Sequence, residues 1–213
     1  MKLRQQVIDT ALKMNALGIN QGKSGNVSAR SNEGFLITPT GLPYEHTTPE
    51  DIVFMRLDGS CDGARLPSSE WRFHRDIYAH RPEASAIVHT HSLHATTLAC
   101  LGRGIPAFHY MVALAGGRDI RCAPYATFGT QQLSDHALLA LQDRKACLLA
   151  QHGMIAIGAA LEKALALAVE VETLAHIYVQ ALQIGEPAIL PDDEMDRVLE
   201  KFKTYGQPAA SPR

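Results

Sequence analysis

Ala84-Ser-Ala-Ile-Val-His-Thr-His91 decides how the rest of this 213-residue chain is read. An apolar, β-prone run ends on two histidines spaced two residues apart. In an extended strand residues i and i+2 face the same way. The imidazoles of His89 and His91 can therefore reach one cation, with a strand behind them for rigidity. A second apolar run, Ala146-Cys-Leu-Leu-Ala150, is followed by His152. Glu70, in Pro67-Ser-Ser-Glu-Trp71, adds a carboxylate. Three imidazoles and one carboxylate suit Zn2+, one per subunit, with Mn2+ or Co2+ as alternatives.

Outward from this strand, hydrophobic periodicity predicts the other elements. Leu3, Val7, Ile8, Ala11, Leu12 and Leu17 recur at helical spacing, so 2–17 reads as an amphipathic helix ending before Gly18. Residues 27–29, 35–38 and 52–57 read as short strands between turns. Ser68 or Ser69 is expected to cap a helix through Trp71, Phe73, Ile77 and Tyr78 that stops near Pro82. Further helices are expected at 94–101, 131–141, 160–183 and 192–204, and further strands at 122–126, 146–150 and 154–157. Short hairpin-like strands in clusters predict a mainly antiparallel sheet with helices packed on it. Residues 1–206 read as one domain and 207–213 as a flexible tail.

Composition narrows the function classes. Hydrophobic residues make up 46% and charged residues 20%, with a net charge of −2. No basic field is available to attract nucleic acid or an anionic membrane. The apolar stretches read as too short to span a bilayer, and no signal-peptide core opens the chain. The expected location is cytoplasmic. The four cysteines are scattered without a CxxC pair, so each is read as a reduced, small, buried hydrophobe.

Spacing leaves the ligand set open. Among ten histidines, His94 and His74 compete with His89, His91 and His152. Glu70 at a helix start can equally complement the helix dipole, or act as a metal ligand and base. Three small-residue pairs, Gly25-Asn26, Thr40-Gly41 and Ser68-Ser69, offer backbone N–H groups and hydroxyls to an anion. A cap and two turns explain them equally well.

Taken in order, Gly25-Asn-Val-Ser28, Leu36-Ile-Thr-Pro-Thr-Gly41, Leu66-Pro-Ser-Ser-Glu-Trp-Arg-Phe-His74, His89-Thr-His91, Ile105-Pro-Ala-Phe-His-Tyr-Met111, Cys122-Ala-Pro-Tyr-Ala-Thr-Phe-Gly129, Gln151-His-Gly153 and Glu200-Lys-Phe-Lys-Thr-Tyr-Gly206 resemble the class II aldolase/adducin superfamily. Within it they resemble the L-fuculose-1-phosphate aldolases, over about residues 3–206. The resemblance implies a three-layer α/β/α fold on a mainly antiparallel sheet, and a homotetramer with active sites between subunits. It makes His89, His91 and His152 the zinc ligands, with Glu70 completing the shell at rest and then acting as acid–base. It assigns phosphate binding to Gly25, Asn26, Thr40, Gly41, Ser68 and Ser69. It makes Tyr110 a catalytic residue delivered by a neighbouring subunit, and places Phe128, Phe202 and Tyr205 around the aldehyde. Thr90 and Gln151 depart from residues common at those positions, without removing a ligand.

The activity so implied is reversible cleavage of a ketose 1-phosphate, such as L-fuculose 1-phosphate, to dihydroxyacetone phosphate and a short aldehyde such as lactaldehyde. Salvage of 5-deoxyribulose or 5-methylthioribulose 1-phosphate is the alternative. Pentulose-phosphate epimerisation or decarboxylation on the same scaffold ranks lower. An adducin-like interaction module would be expected to have lost ligands that this chain retains.

Overall fold

A computed structural model describes residues 1–204. Eight strands form one sheet in the order β4-β3-β2-β1-β5-β8-β7-β6. They are β1 (Asn26–Ser31), β2 (Gly34–Ile37), β3 (Val53–Arg56), β4 (Cys61–Asp62), β5 (Ala86–Thr90), β6 (Cys122–Ala123), β7 (Ala146–Leu149) and β8 (Gly153–Gly158). Every neighbouring pair is antiparallel except β6 with β7.

Strand alternation sorts side chains into two cores. Ala86 and Val88 of β5 face one side, Ile87 the other. The first side packs on α1 (Lys2–Ala16), α3 (Leu93–Cys100) and α5 (Leu161–Ile184). The second packs on α2 (Trp71–His80) and α4 (Gln131–Ala140). The result is the expected three-layer α/β/α arrangement. A strand covered on both faces needs apolar residues at successive positions. That is why β5, β7 and β8 read as continuous apolar runs.

Helix α5 corrects one expectation. Its 24 residues, with mean hydropathy 1.3 over the most apolar stretch, are long and apolar enough to cross a membrane. Here they form a core helix. Ala164, Ala168, Val171, Leu174, Ala175 and Tyr178 are buried against the sheet and its partner helices. Glu172 of the same helix is tied to the start of α3.

Other departures have local causes. The strand expected at 122–126 stops after Ala123, because Pro124 has no N–H to continue the ladder. Tyr44–His46, Pro49–Asp51 and Tyr110–Ala115 form 3-10 turns that periodicity does not show. Helix α2 begins at Trp71, and no side chain caps it. Ser68 Oγ instead accepts the Glu70 N–H at 3.3 Å, so the serines build the turn before the helix. Of the cysteines only Cys147 is buried; Cys122 is half-buried, and Cys61 and Cys100 are exposed. The buried reading therefore fails for the last two.

Helix α6 (Asp192–Thr204) carries acidic residues in its first turn and lysines in its last, matching the helix dipole. Tyr205 and the tail lie outside the described residues.

Leu174 is 1% exposed in the α5 face. Leu174→Ala should destabilise the protein by about 2–5 kcal/mol through lost burial and a cavity. The midpoint of urea unfolding measures it.

Candidate metal centre

Pairing of β1 with β5 sets the site. It places Asn26 opposite His89 and Ser28 opposite Ile87, on the α2 side of the sheet. His89 is fully buried, and its Nδ1–H donates to the Met154 carbonyl at 2.9 Å. A carbonyl only accepts, so Nε2 of a neutral His89 carries the lone pair. His91 is the first residue past the end of β5. Its Nε2 lies 3.1 Å from His89 Nε2. His152 sits in the turn between β7 and β8, aimed inward by Gln151 at φ 56°. Gly153 follows because a Cβ there would lie 2.4 Å from the Thr90 carbonyl oxygen and 2.9 Å from the His91 ring.

Glu70 immediately precedes α2. Its Oε2 is 3.0 Å from His89 Nε2, and its Oε1 is 3.1 Å from His152 Nε2. The three imidazole centroids are mutually 4.9 Å apart. One ligand atom from each of the four residues lies within 4.8 Å of all the others.

Charge balance at this cluster favours a cation. Burial raises the Glu70 carboxyl, but the positive potential from His89 and contact with His152 outweigh it and hold it well below the usual range. Burial first, then His89 and His152, pushes His91 down to about 3. The cluster is therefore a carboxylate facing three imidazoles, of which His91 is neutral near pH 7. Glu70 Oε1 is buried and makes no hydrogen bond. Nitrogen and oxygen donors converging on one point, one of them orphaned, fit a divalent metal ion.

Beside the cluster, three predicted anion-binding segments converge through the backbone. Thr38 N–H donates to Val27, Ser68 N–H to Thr38 and Thr40 N–H to Leu66. Gly41 has φ +70° with open space around it, and Thr40 and Ser69 are exposed. Gly25 serves the protein's own packing, since a Cβ there would lie 2.4 Å from the His89 carbonyl oxygen. Asn26 Nδ2 already donates to Glu70 Oε2 at 3.0 Å, leaving one amide N–H for another acceptor. Lys23, which sequence reading passed over, bridges two of these segments by donating to the Gly41 carbonyl at 2.8 Å.

Phe128 is exposed on a loop held near Glu70, with Arg72 donating to the Gly129 carbonyl at 2.7 Å. Tyr110 lies elsewhere. It is half exposed and stacks on Phe202, 6.4 Å between centroids, in a cavity of about 800 Å3. None of the four clustered residues lines that cavity.

The two rival histidines have other duties. His94 Nδ1–H donates to Glu172 at 2.8 Å, and the same carboxylate accepts the His94 and Ala95 N–H groups. His74 is fully buried between Asn26 and Ser28. Its position four residues after Glu70 hinted at proximity but not at this role.

Burial pushes His74 down to about 3, against an ordinary 6.5. The unfolded chain therefore takes up a proton below pH 6.5 that the folded chain refuses. Stability of the metal-free protein should fall by about 1.4 kcal/mol per pH unit from His74 alone between pH 6.5 and 4.5. His91 adds in the same direction. Urea midpoints across that window measure the slope, and a flat profile contradicts it.

The sequence pattern of the family described as Class II Aldolase and Adducin N-terminal domain matches residues 5–179. A protein of Rhodospirillum rubrum, named 5-methylthioribulose-1-phosphate/5-deoxyribulose-1-phosphate aldolase, is 60% identical over 99% of this chain and 95% of its own length. An Escherichia coli L-fuculose phosphate aldolase is 57% identical over 96% of each chain. A solved L-fuculose 1-phosphate aldolase superposes with a TM-score of 0.92 at 41% identity, over 95% of this chain and 96% of the other. With the ligand cluster, the sheet order and these likenesses together, the chain belongs to the class II aldolase and adducin N-terminal domain family.

Proposed function

We propose that this class II aldolase reversibly cleaves a ketose 1-phosphate, L-fuculose 1-phosphate or a similar sugar, to dihydroxyacetone phosphate and a short aldehyde. One observation carries the reading: a four-residue metal cluster lies beside an anion cradle, and Glu70 and Asn26 link them. The phosphate end is held by Asn26, Thr40, Gly41, Ser68 and Ser69, with Gly25 shaping the backbone. That leaves the C2 carbonyl and C3 hydroxyl oxygens facing the cluster.

His89, His91, His152 and Glu70 would hold the ion, and their nitrogen and oxygen donors favour zinc. When bound, it supplies Lewis acidity that stabilises the negative charge developing on the C2 and C3 oxygens. In the synthetic direction Glu70 takes the C3 proton of dihydroxyacetone phosphate. The C3 electron pair then attacks the aldehyde carbon, and Tyr110 donates its phenolic proton to the oxygen formed at C4. Cleavage runs the same transfers backwards. Phe128 provides an apolar wall for the aldehyde, with Phe202 beside it. The competing chemistry, a lysine Schiff base, needs a desolvated amine. All seven lysines are exposed.

Tyr110 and Glu70 belong to different surfaces of one chain, which supports a homotetramer whose neighbouring subunit brings Tyr110 to the cluster. Its expected setting is the cytoplasm, with no nucleic-acid or membrane partner. Salvage of 5-deoxyribulose or 5-methylthioribulose 1-phosphate is the second reading, favoured by the name of the Rhodospirillum rubrum relative.

Release of dihydroxyacetone phosphate from these sugars, stopped by chelation and restored by zinc, tests the function. No release from the zinc-loaded protein rejects the substrate class, and the ratio of kcat/KM values decides between the sugars. Glu70→Gln should cost about 10²–10⁴-fold in turnover while the fold persists. Near-normal turnover would remove Glu70 from its role. Tyr110→Phe should slow cleavage while inorganic phosphate still inhibits. Co-refolding the two inactive variants should recover part of the activity, because a mixed interface contains one intact Glu70 facing one intact Tyr110. No recovery argues that both groups act within one subunit.

A further inference from the structure

A chain of buried hydrogen bonds runs from the interior of the α2 layer to the metal cluster. Tyr78 Oη lies 2.8 Å from Ser28 Oγ. Ser28 Oγ lies 2.7 Å from His74 Nδ1, and His74 Nε2 lies 2.5 Å from Asn26 Oδ1. Asn26 Nδ2 then reaches Glu70 Oε2 at 3.0 Å. All five residues are at most 5% exposed. Each unmade bond along such a chain would leave a buried polar group unsatisfied, at the full cost of its desolvation.

The two ends independently set the same direction. A carboxylate accepts only, so Asn26 must turn its NH2 toward Glu70 and its carbonyl oxygen toward His74. His74 must then donate from Nε2 and accept at Nδ1, which calls for the Ser28 hydroxyl proton. At the far end Tyr78 Oη meets only Ser28 among the described hydrogen bonds. A buried phenol needs an acceptor, so Tyr78 donates to Ser28, and Ser28 must pass its own proton onward to His74. The protons are therefore ordered Tyr78 to Ser28 to His74 to Asn26 to Glu70. The anchor is rigid. Arg30 lies 4.8 Å over the Tyr78 ring and donates to the carbonyls of Tyr78, Arg81 and Ala84. The Phe73 ring stacks on His74, centroids 4.6 Å apart.

We propose that His74 is a positioning residue for the aldol site: its Nε2–H tautomer, imposed by Ser28 and Tyr78, locks the Asn26 amide so that Glu70 is held against the metal ion. The opposite tautomer would set a lone pair against the Asn26 oxygen and favour a flipped amide. A flipped amide presents its oxygen to the Glu70 carboxylate and repels it from the cluster. The role of Glu70 rests on the function proposed above, but the ordering of the protons does not.

The test reads the proton directly. Nitrogen-15 NMR of histidine-labelled protein, zinc-loaded and metal-free, should show His74 with a protonated Nε2 and a bare Nδ1. A protonated Nδ1, or both nitrogens protonated, overturns the proposal. His74→Gln keeps a donor toward Asn26 and an acceptor toward Ser28, so zinc affinity measured by chelator competition should stay close to wild type. His74→Phe keeps neither, and zinc affinity should fall by about 10–100-fold. Equal affinity in the Gln and Phe variants also overturns it. Should the Phe variant fail to fold, the tautomer alone decides. None of these readouts requires turnover, so they stand or fall separately from dihydroxyacetone phosphate release, which judges the aldolase reading.

Discussion

Pairing of β1 with β5 is the constraint on which the site depends. The register sets Asn26 beside His89 at the mouth of the sheet and Ser28 beside Ile87 one step further in. A slip of one residue would turn Asn26 and Ser28 to the opposite face, away from α2. Glu70 would lose its amide partner, and His74 would lose both partners in an apolar layer. The sheet thus controls the polar chemistry through side-chain parity, and two cores on its two faces hold the parity fixed. The polar column on the α2 side is stable only because its members satisfy one another. A half-made network there would be worse than an apolar core.

The same economy explains the ligand geometry. His89 is held by its own strand and by the Met154 carbonyl of the next, so its tautomer is set before any ion arrives. His152 comes from a hairpin turn whose positive φ at Gln151 and side-chain-free Gly153 bring two rings close together. Glu70 enters from the other layer, at the start of α2, where a short serine turn positions it. Three separate structural units thus supply the donors. Each is fixed by its own backbone contacts, which brings the four donor atoms within 4.8 Å of one another.

Much of this was legible in the sequence, for identifiable reasons. The apolar runs ending in His89 and ahead of His152 mark central strands because such strands are covered on both faces. The helices of 10 or more residues follow from 3.6-residue periodicity. What stayed hidden is what depends on register between distant segments. No local pattern shows that Asn26 meets both Glu70 and His74, because 44 and 48 residues separate them. His74 could be read as a rival ligand for the same reason. The short β4 and the early end of β6 were missed because two-residue strands have no periodicity to detect. Membrane-like α5 shows the converse limit, since composition cannot say whether an apolar helix faces lipid or a sheet.

The two ends of the site are built from different materials, and this bears on specificity. At the end proposed for the phosphate, backbone groups are fixed by the sheet ladder and by the turns that continue it. At the end proposed for the aldehyde stand Phe128 on an exposed loop, and Tyr110 and Phe202 on a surface away from the cluster. A site built to hydrogen-bond a substrate group rejects a mismatched group strongly, whereas an apolar wall separates substrates by only about 1–3 kcal/mol per methylene. On the proposed function, the phosphate and the two oxygens beside it would be specified tightly, and the aldehyde loosely. Relatives more than half identical to this chain carry names based on different sugars, as such an asymmetry would allow. On that reading divergence among substrates would need changes only at the aldehyde end, and none in the β1–β5 pairing or in the column behind Glu70.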